Sequence, residues 1–231
     1  VEDYSAIPRF LQQQYGLAGG REQGRIWRLL PTLAITPQAA PLAELTSNAL
    51  VEMLQDTVAW RRQTAQRLLV ERGGRDAVGG LTVMLVTGDN ATARLHALYS
   101  LQGLGALETQ HLLVALGDVD YGVRTHALRL SESHIDTDTQ LLETATQLVA
   151  DNDPRVRLQL AMTLGATDKK LATAALLRLA RERGHERWMP AAILSSARTR
   201  PGVLLADLDL SLSTTSRCAD GTSIHVDLVE E

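Results

Sequence analysis

Asp118-Val119-Asp120-Tyr121-Gly122-Val123-Arg124-Thr125-His126-Ala127-Leu128 is the clearest copy of a pattern that recurs along the chain. Upstream stand Asp89-Asn90 and then Arg94-Leu95-His96-Ala97-Leu98, and downstream Asp151-Asn152-Asp153-Pro154-Arg155-Val156-Arg157-Leu158-Gln159-Leu160-Ala161. Two looser copies flank these. One runs from Asp56 to Leu69 and carries Trp60-Arg61-Arg62-Gln63-Thr64-Ala65; the other is Trp188-Met189-Pro190-Ala191-Ala192-Ile193-Leu194, with Met189 in place of the arginine. Aligning Arg62, Arg94, Arg124, Arg157 and Met189 gives intervals of 32, 30, 33 and 32 residues. Self-similarity at such a period is the signature of a repeat architecture.

An amphipathic segment precedes each acidic loop: 49–55, 77–86, 109–116, 138–150 and 169–183. In the fourth, Leu141, Leu142, Ala145, Leu148 and Val149 fall on one helical stripe. Each unit therefore reads as helix, tight loop, helix. Asp and Asn suit the loops because their side chains accept the free N–H groups of the following helix, and Pro154 suits a first helical turn. A helix pair cannot bury its apolar face alone, whereas stacked pairs share a continuous core. The expected fold is all-α, a right-handed α-α superhelix of about five helix pairs over residues 41–200. A strand-like N-terminal arm (1–40) and an irregular or β-like tail (201–231) flank it. Alanines at 65, 97, 127 and 192 allow close helix approach.

Composition agrees with such a core. The chain has 231 residues, of which 45% are hydrophobic and 3% aromatic, so small aliphatic side chains fill the interior. Its single cysteine, Cys218, excludes an internal disulfide and a cysteine-based zinc cluster. The longest apolar run, Leu81 to Val86, falls far short of the roughly 20 residues that cross a bilayer. A net charge of −4 offers no field for a phosphate backbone, so nucleic acid is not an expected partner. The start at Val1 reads as a fragment or a processed product.

The arginines and loop aspartates suggest a structural ladder of Asp56, Arg62, Asp89, Arg94, Asp118, Arg124, Asp151 and Arg157, pairing within one repeat or between neighbours. A second set suggests a strip along the second helices. His96 and His126 stand two residues after the arginine, Gln63 and Gln159 are read as holding that place in the flanking repeats, and Arg67, Tyr99 and Arg129 lie two residues after the alanine. This strip is either a partner-binding face or a set of hydrogen-bonded side chains beside the core. His111, His134, His185 and His225 follow no shared rule. Trp60 and Trp188, at the start of the second helix in the end repeats, read as a partner contact or as plugs on terminal units.

The Asp-loop, Val-Arg and Ala pattern resembles short HEAT repeats of the armadillo-like class. More closely, 60–72, 93–105 and 153–161 resemble the HEAT region of large bacterial proteins described as membrane-bound dehydrogenases or PVC-type haem-binding proteins. Ser5-Ala6-Ile7-Pro8-Arg9 and Gly24-Arg25-Ile26-Trp27-Arg28-Leu29-Leu30-Pro31 resemble the end of that family's sugar-dehydrogenase-like propeller, with 25–30 alternating like its closing strand. The resemblance covers about residues 5–200 and implies an exported, periplasmic parent, with a cytoplasmic location left open by the residues themselves. Cys218 is followed by Ala-Asp-Gly rather than a Cys-x-x-Cys-His haem attachment, so haem chemistry does not carry over. Dehydrogenase chemistry does not either, because the propeller that would house a sugar site is absent apart from its expected last strand.

The sequence thus points to a non-catalytic scaffold or protein-interaction module with no cofactor and no metal, contacting a protein partner or neighbouring domains in cis. The alternative is a helical-repeat enzyme of lyase, hydroxylase or DNA-glycosylase type. It needs acid, base or metal groups converging in the groove, or a basic stripe.

Overall fold

Short polar side chains start five of the described helices. Asn90, Asp120 and Asp153 each accept backbone N–H groups of the second helix that follows, and Thr46 and Asp138 do the same for two first helices. The computed structural model describes residues 8–14, 41–197 and 201–202. The chain divides into two units, Val1–Ala39 and Ala40–Glu231. In the first, α1 (Arg9–Gln14) is described. The strand expected at 25–30 and the tail after 202, with Cys218 and His225, lie outside the described residues.

The second unit is a run of helix pairs: α2 (Ser47–Met53) with α3 (Ala59–Glu71), α4 (Val78–Thr87) with α5 (Ala91–Gly103), and α6 (Thr109–Leu116) with α7 (Tyr121–Ser131). These are followed by α8 (Thr139–Gln147) with α9 (Pro154–Thr163), and α10 (Lys170–Arg183) with α11 (Met189–Ser196). First helices pack on first helices and second on second along the series, which makes two layers. The described residues are thus an all-α helical repeat of five pairs, without strands.

The core between the layers is aliphatic. Leu50, Leu69, Leu85, Leu98, Leu112, Leu128, Leu141, Leu160 and Leu176 are buried, as are the alanines at 65, 97, 127 and 192. Met189, at the arginine position of the last pair, is buried as well. Both α3 and α5 end in the same way. Gly73 and Gly105 adopt φ near +61° and +62°, a region open to glycine at little cost. The next amide then reaches back five residues, Gly74 to Leu69 and Ala106 to Leu101, so each turn reverses the chain into the next first helix. At the beginning of the stack, Arg72 donates from Nη1 to the Leu45 carbonyl and from Nη2 to that of Ala43, both at 2.6 Å, tying the end of α3 to the 3-10 turn Leu42–Glu44.

The arginine ladder joins the pairs, with partners in the next repeat. Arg94 grips Asp118 with two parallel bonds, Nε to Oδ2 at 2.6 Å and Nη2 to Oδ1 at 2.7 Å. Arg124 grips Asp151 in the same way, at 2.7 and 3.0 Å. Arg157 reaches Glu186 through Nη2 alone. Each arginine also turns Nη1 to the carbonyl six residues before it: Asp56 for Arg62, Gly88 for Arg94, Asp118 for Arg124 and Asp151 for Arg157.

That six-residue offset corrects two expected members. The register position in the second repeat is Gly88, and Asp89 lies one residue beyond it, exposed and in no ion pair among the described residues. With no carboxylate at Gly88, Arg62 keeps to the carbonyls of Asp56 and Thr57, and its Nε is left without a partner. Asp56 in turn takes Arg61, at 2.8 Å, rather than Arg62.

Truncating one partner of a largely buried ion pair strands the other, at a cost of about 3–5 kcal/mol. Arg124→Ala is expected to destabilise the protein by about 3 kcal/mol and to raise amide exchange first in α7 and α9. Asp89→Ala is expected to change stability by less than about 0.5 kcal/mol. Chemical denaturation of the two variants checks the contrast, and equal losses would show that the rungs carry no special load.

Candidate functional site

The strip read along the second helices turns out to be bonds between repeats. His96 on α5 donates from Nδ1 to Gln66 Oε1 on α3 at 2.6 Å. The Tyr99 hydroxyl on α5 shares a hydrogen bond with His126 Nδ1 on α7 at 2.8 Å, with the rings edge to face at 5.5 Å and 76°. Farther along, Gln159 on α9 donates from Nε2 to Glu132 Oε1 at 3.1 Å. The Thr163 hydroxyl lies 3.1 Å from the same Glu132 oxygen and 3.2 Å from the Leu128 carbonyl. His96, Tyr99, His126 and Gln159 are therefore half-buried ties from each second helix to its neighbour.

The remaining strip residues lie apart from this line. Gln63 is exposed. It stands one residue after Arg62, whereas the histidines stand two after their arginines, so Thr64 holds the register position and Gln66 supplies the bond. Arg67 is exposed and paired with Glu71 one turn on, at 3.7 Å. Arg129 is exposed, without an ion pair among the described residues.

Burial explains the electrostatics. His96 and His126 titrate below the usual histidine value, chiefly because the charged ring would leave water, with Arg62 and Arg129 respectively adding repulsion. The Tyr99 phenol is pushed up by burial.

His111, which followed no rule in the sequence, is the most completely bonded of the histidines. It sits at the third position of α6, 4% exposed. Its Nδ1 accepts the Glu108 backbone N–H at 3.0 Å, so the proton lies on Nε2, which donates to Thr82 Oγ1 on α4 at 3.0 Å. Thr82 has given its own proton to the Val78 carbonyl. The sequence signal was His three residues after Glu108, a variant of the reciprocal cap in which Glu or Gln normally serves.

Exposed apolar side chains lie both on helix faces, as Val83, Val86, Val114 and Leu194 do, and around the starts of the second helices. Val58, Trp60, Val119, Tyr121 and Trp188 are of the latter kind, Trp60 at 63% and Trp188 at 60%. Both tryptophans therefore stand in solvent rather than plugging the ends of the core. Arg155 lies 3.4 Å over the Tyr121 ring, and its fork on Asp153 holds that carboxyl at about 2. Arg187 lies 5.0 Å from the Trp188 ring. A shallow groove of about 450 Å³ separates α2 and α4, lined by Val51, Glu52, Gly79, Val83, Met84 and Asp89 among others.

Among the described residues no group of three or more His, Cys, Asp and Glu is placed to hold a metal ion, and no helix is long and apolar enough to cross a membrane. No family model and no curated protein matches the chain.

Tyr99→Phe removes the hydrogen bond to His126 Nδ1 while preserving the ring contact. It is expected to cost about 1–2 kcal/mol, the usual range for a hydrogen bond whose partner is left unpaired. Chemical denaturation reads the loss directly.

Proposed function

We propose that this chain is a non-catalytic HEAT-like module that holds a protein partner, or neighbouring domains in cis, in fixed relation within a larger exported, sugar-dehydrogenase-like and cytochrome-containing protein. One observation carries the reading: the side chains best suited to chemistry are already committed to joining repeats. Arg94, Arg124 and Arg157 are spent on carboxylates of the next repeat, and His96, His111 and His126 on hydrogen bonds between helices. The pairing of Arg94, Arg124 and Arg157 also takes the repeat-register guanidinium groups out of reach of an anionic polymer.

A stack tied in this way is a rigid support. Its exposed anchors are Trp60, Tyr121 and Trp188 on the loop edge, residue types that dominate protein contacts because they bury a large area at low entropic cost. The exported setting rests on the family resemblance described above.

The test is affinity capture from an exported fraction with three baits: the native chain, a Trp60→Ala/Trp188→Ala variant, and a variant with Gln63, His96, Tyr99, His126 and Arg129 changed to alanine. The expected result is capture by the native chain and loss, by at least about tenfold or 1.4 kcal/mol, with the tryptophan variant. Loss confined to the second variant would move the contact to the second helices. Capture by none would leave only the cis role, and turnover of a substrate by the isolated chain would overturn the proposal.

A further inference from the structure

The histidines that bridge repeats are confined to one part of the stack. His96 joins α5 to α3, His126 joins α7 to α5, and His111 joins α6 to α4, so all three serve the first three helix pairs. The junction between the second and third pairs has one in each layer. Beyond it the ties include Arg124 with Asp151, Glu132 with Gln159 and Thr163, Asp136 with Thr167 at 2.7 Å, and Arg157 with Glu186. His134 bonds only its neighbour Ser133, and His185 is exposed.

The hydrogen-bond roles determine what a second proton does. At His111 the Nδ1 lone pair faces the Glu108 N–H, so a proton there would set two donors against each other inside a buried site. At His126 a second proton would place a charge on a half-buried ring whose Nδ1 is held by the Tyr99 hydroxyl, whereas at His96 it would leave the Gln66 bond in place. The charges acting on these rings are Glu108 at the start of α6, Arg129 on α7 and Arg62 on α3. The two arginines oppose protonation. Glu108 favours it at His111, but burial is the larger influence there.

We infer that the junction between the second and third helix pairs forms an acid-released hinge: protonation of His111 and His126 loosens it while the last two pairs stay packed. This goes beyond a static scaffold, because it makes the stiffness of the module depend on pH. The sign follows from linkage. Each ring's folded value lies below its unfolded value of about 6.5, so the stability it contributes is complete above that pH and is lost as pH falls through the folded value.

Hydrogen–deuterium exchange of the whole chain at pH 7.5 and 5.0, corrected for intrinsic rates, tests the hinge. Protection in α4–α7 is expected to fall relative to α8–α11, by about tenfold for each pH unit separating the folded and unfolded titrations of one histidine. A His111→Gln/His126→Gln variant is expected to lose most of that difference while remaining helical at pH 7.5. Uniform loss along the chain, or no loss, overturns the hinge, as does an undiminished response in the variant. Should the variant fail to fold, histidine NMR of the native chain decides. Titration of His111 and His126 below about 6.5, in step with the lost protection, supports the hinge, and titration at or above it overturns the hinge.

Discussion

A loop aspartate used twice keeps the stack in register. The Asp118 carbonyl accepts from Arg124 of its own repeat while its carboxylate receives the fork of Arg94 from the repeat before, and Asp151 stands in the same relation to Arg157 and Arg124. The same carboxylates also accept backbone N–H groups within their loops, from Asp120 and Asp153, both at 2.8 Å. Each loop is therefore fixed internally, to its own second helix and to the preceding one. A lysine could not replace the arginine, because only the planar guanidinium presents three donors in the directions that a carbonyl and a bidentate carboxylate require.

The rungs weaken where the repeat pattern is poorest. Gly88 removes the carboxylate that Arg62 would hold, and Glu186, three residues before Met189 rather than six, meets Arg157 with one bond and leaves its Nε without a partner. Buried ion pairs of this kind contribute less to net stability than to the choice of one arrangement over others, since desolvation offsets much of their attraction. Stability itself comes from the Leu and Ala core, which is continuous from Leu50 to Ala197. The scaffold reading follows from this division of labour. Aliphatic side chains hold the layers together, polar ones and Tyr99 align the repeats, and Trp60, Tyr121 and Trp188 are left exposed on the loop edge.

The period of the repeat, the helix boundaries near the loops, the capping residues and the aliphatic core were legible in the sequence because they rest on local interactions. A helix start is decided by a side chain two or three residues from the amide it accepts, as Asn90, Asp120 and Asp153 show, and a helix face by spacings of three and four residues. Counting six residues back from each arginine would also have replaced Asp89 with Gly88, and counting two forward would have replaced Gln63 with Thr64.

Only the tertiary structure decided which groups meet across the stack. Asp118 is 24 residues from Arg94, Gln66 is 30 from His96, and Thr82 is 29 from His111. No local rule chooses such partners, because each contact depends on the rotation and offset of one helix pair on the next. For the same reason, the sequence marked His96, His126, Trp60 and Trp188 as unusual without showing that the histidines face a neighbouring repeat and the tryptophans solvent. A position on a helix gives a direction around its axis, and packing alone decides what occupies that direction.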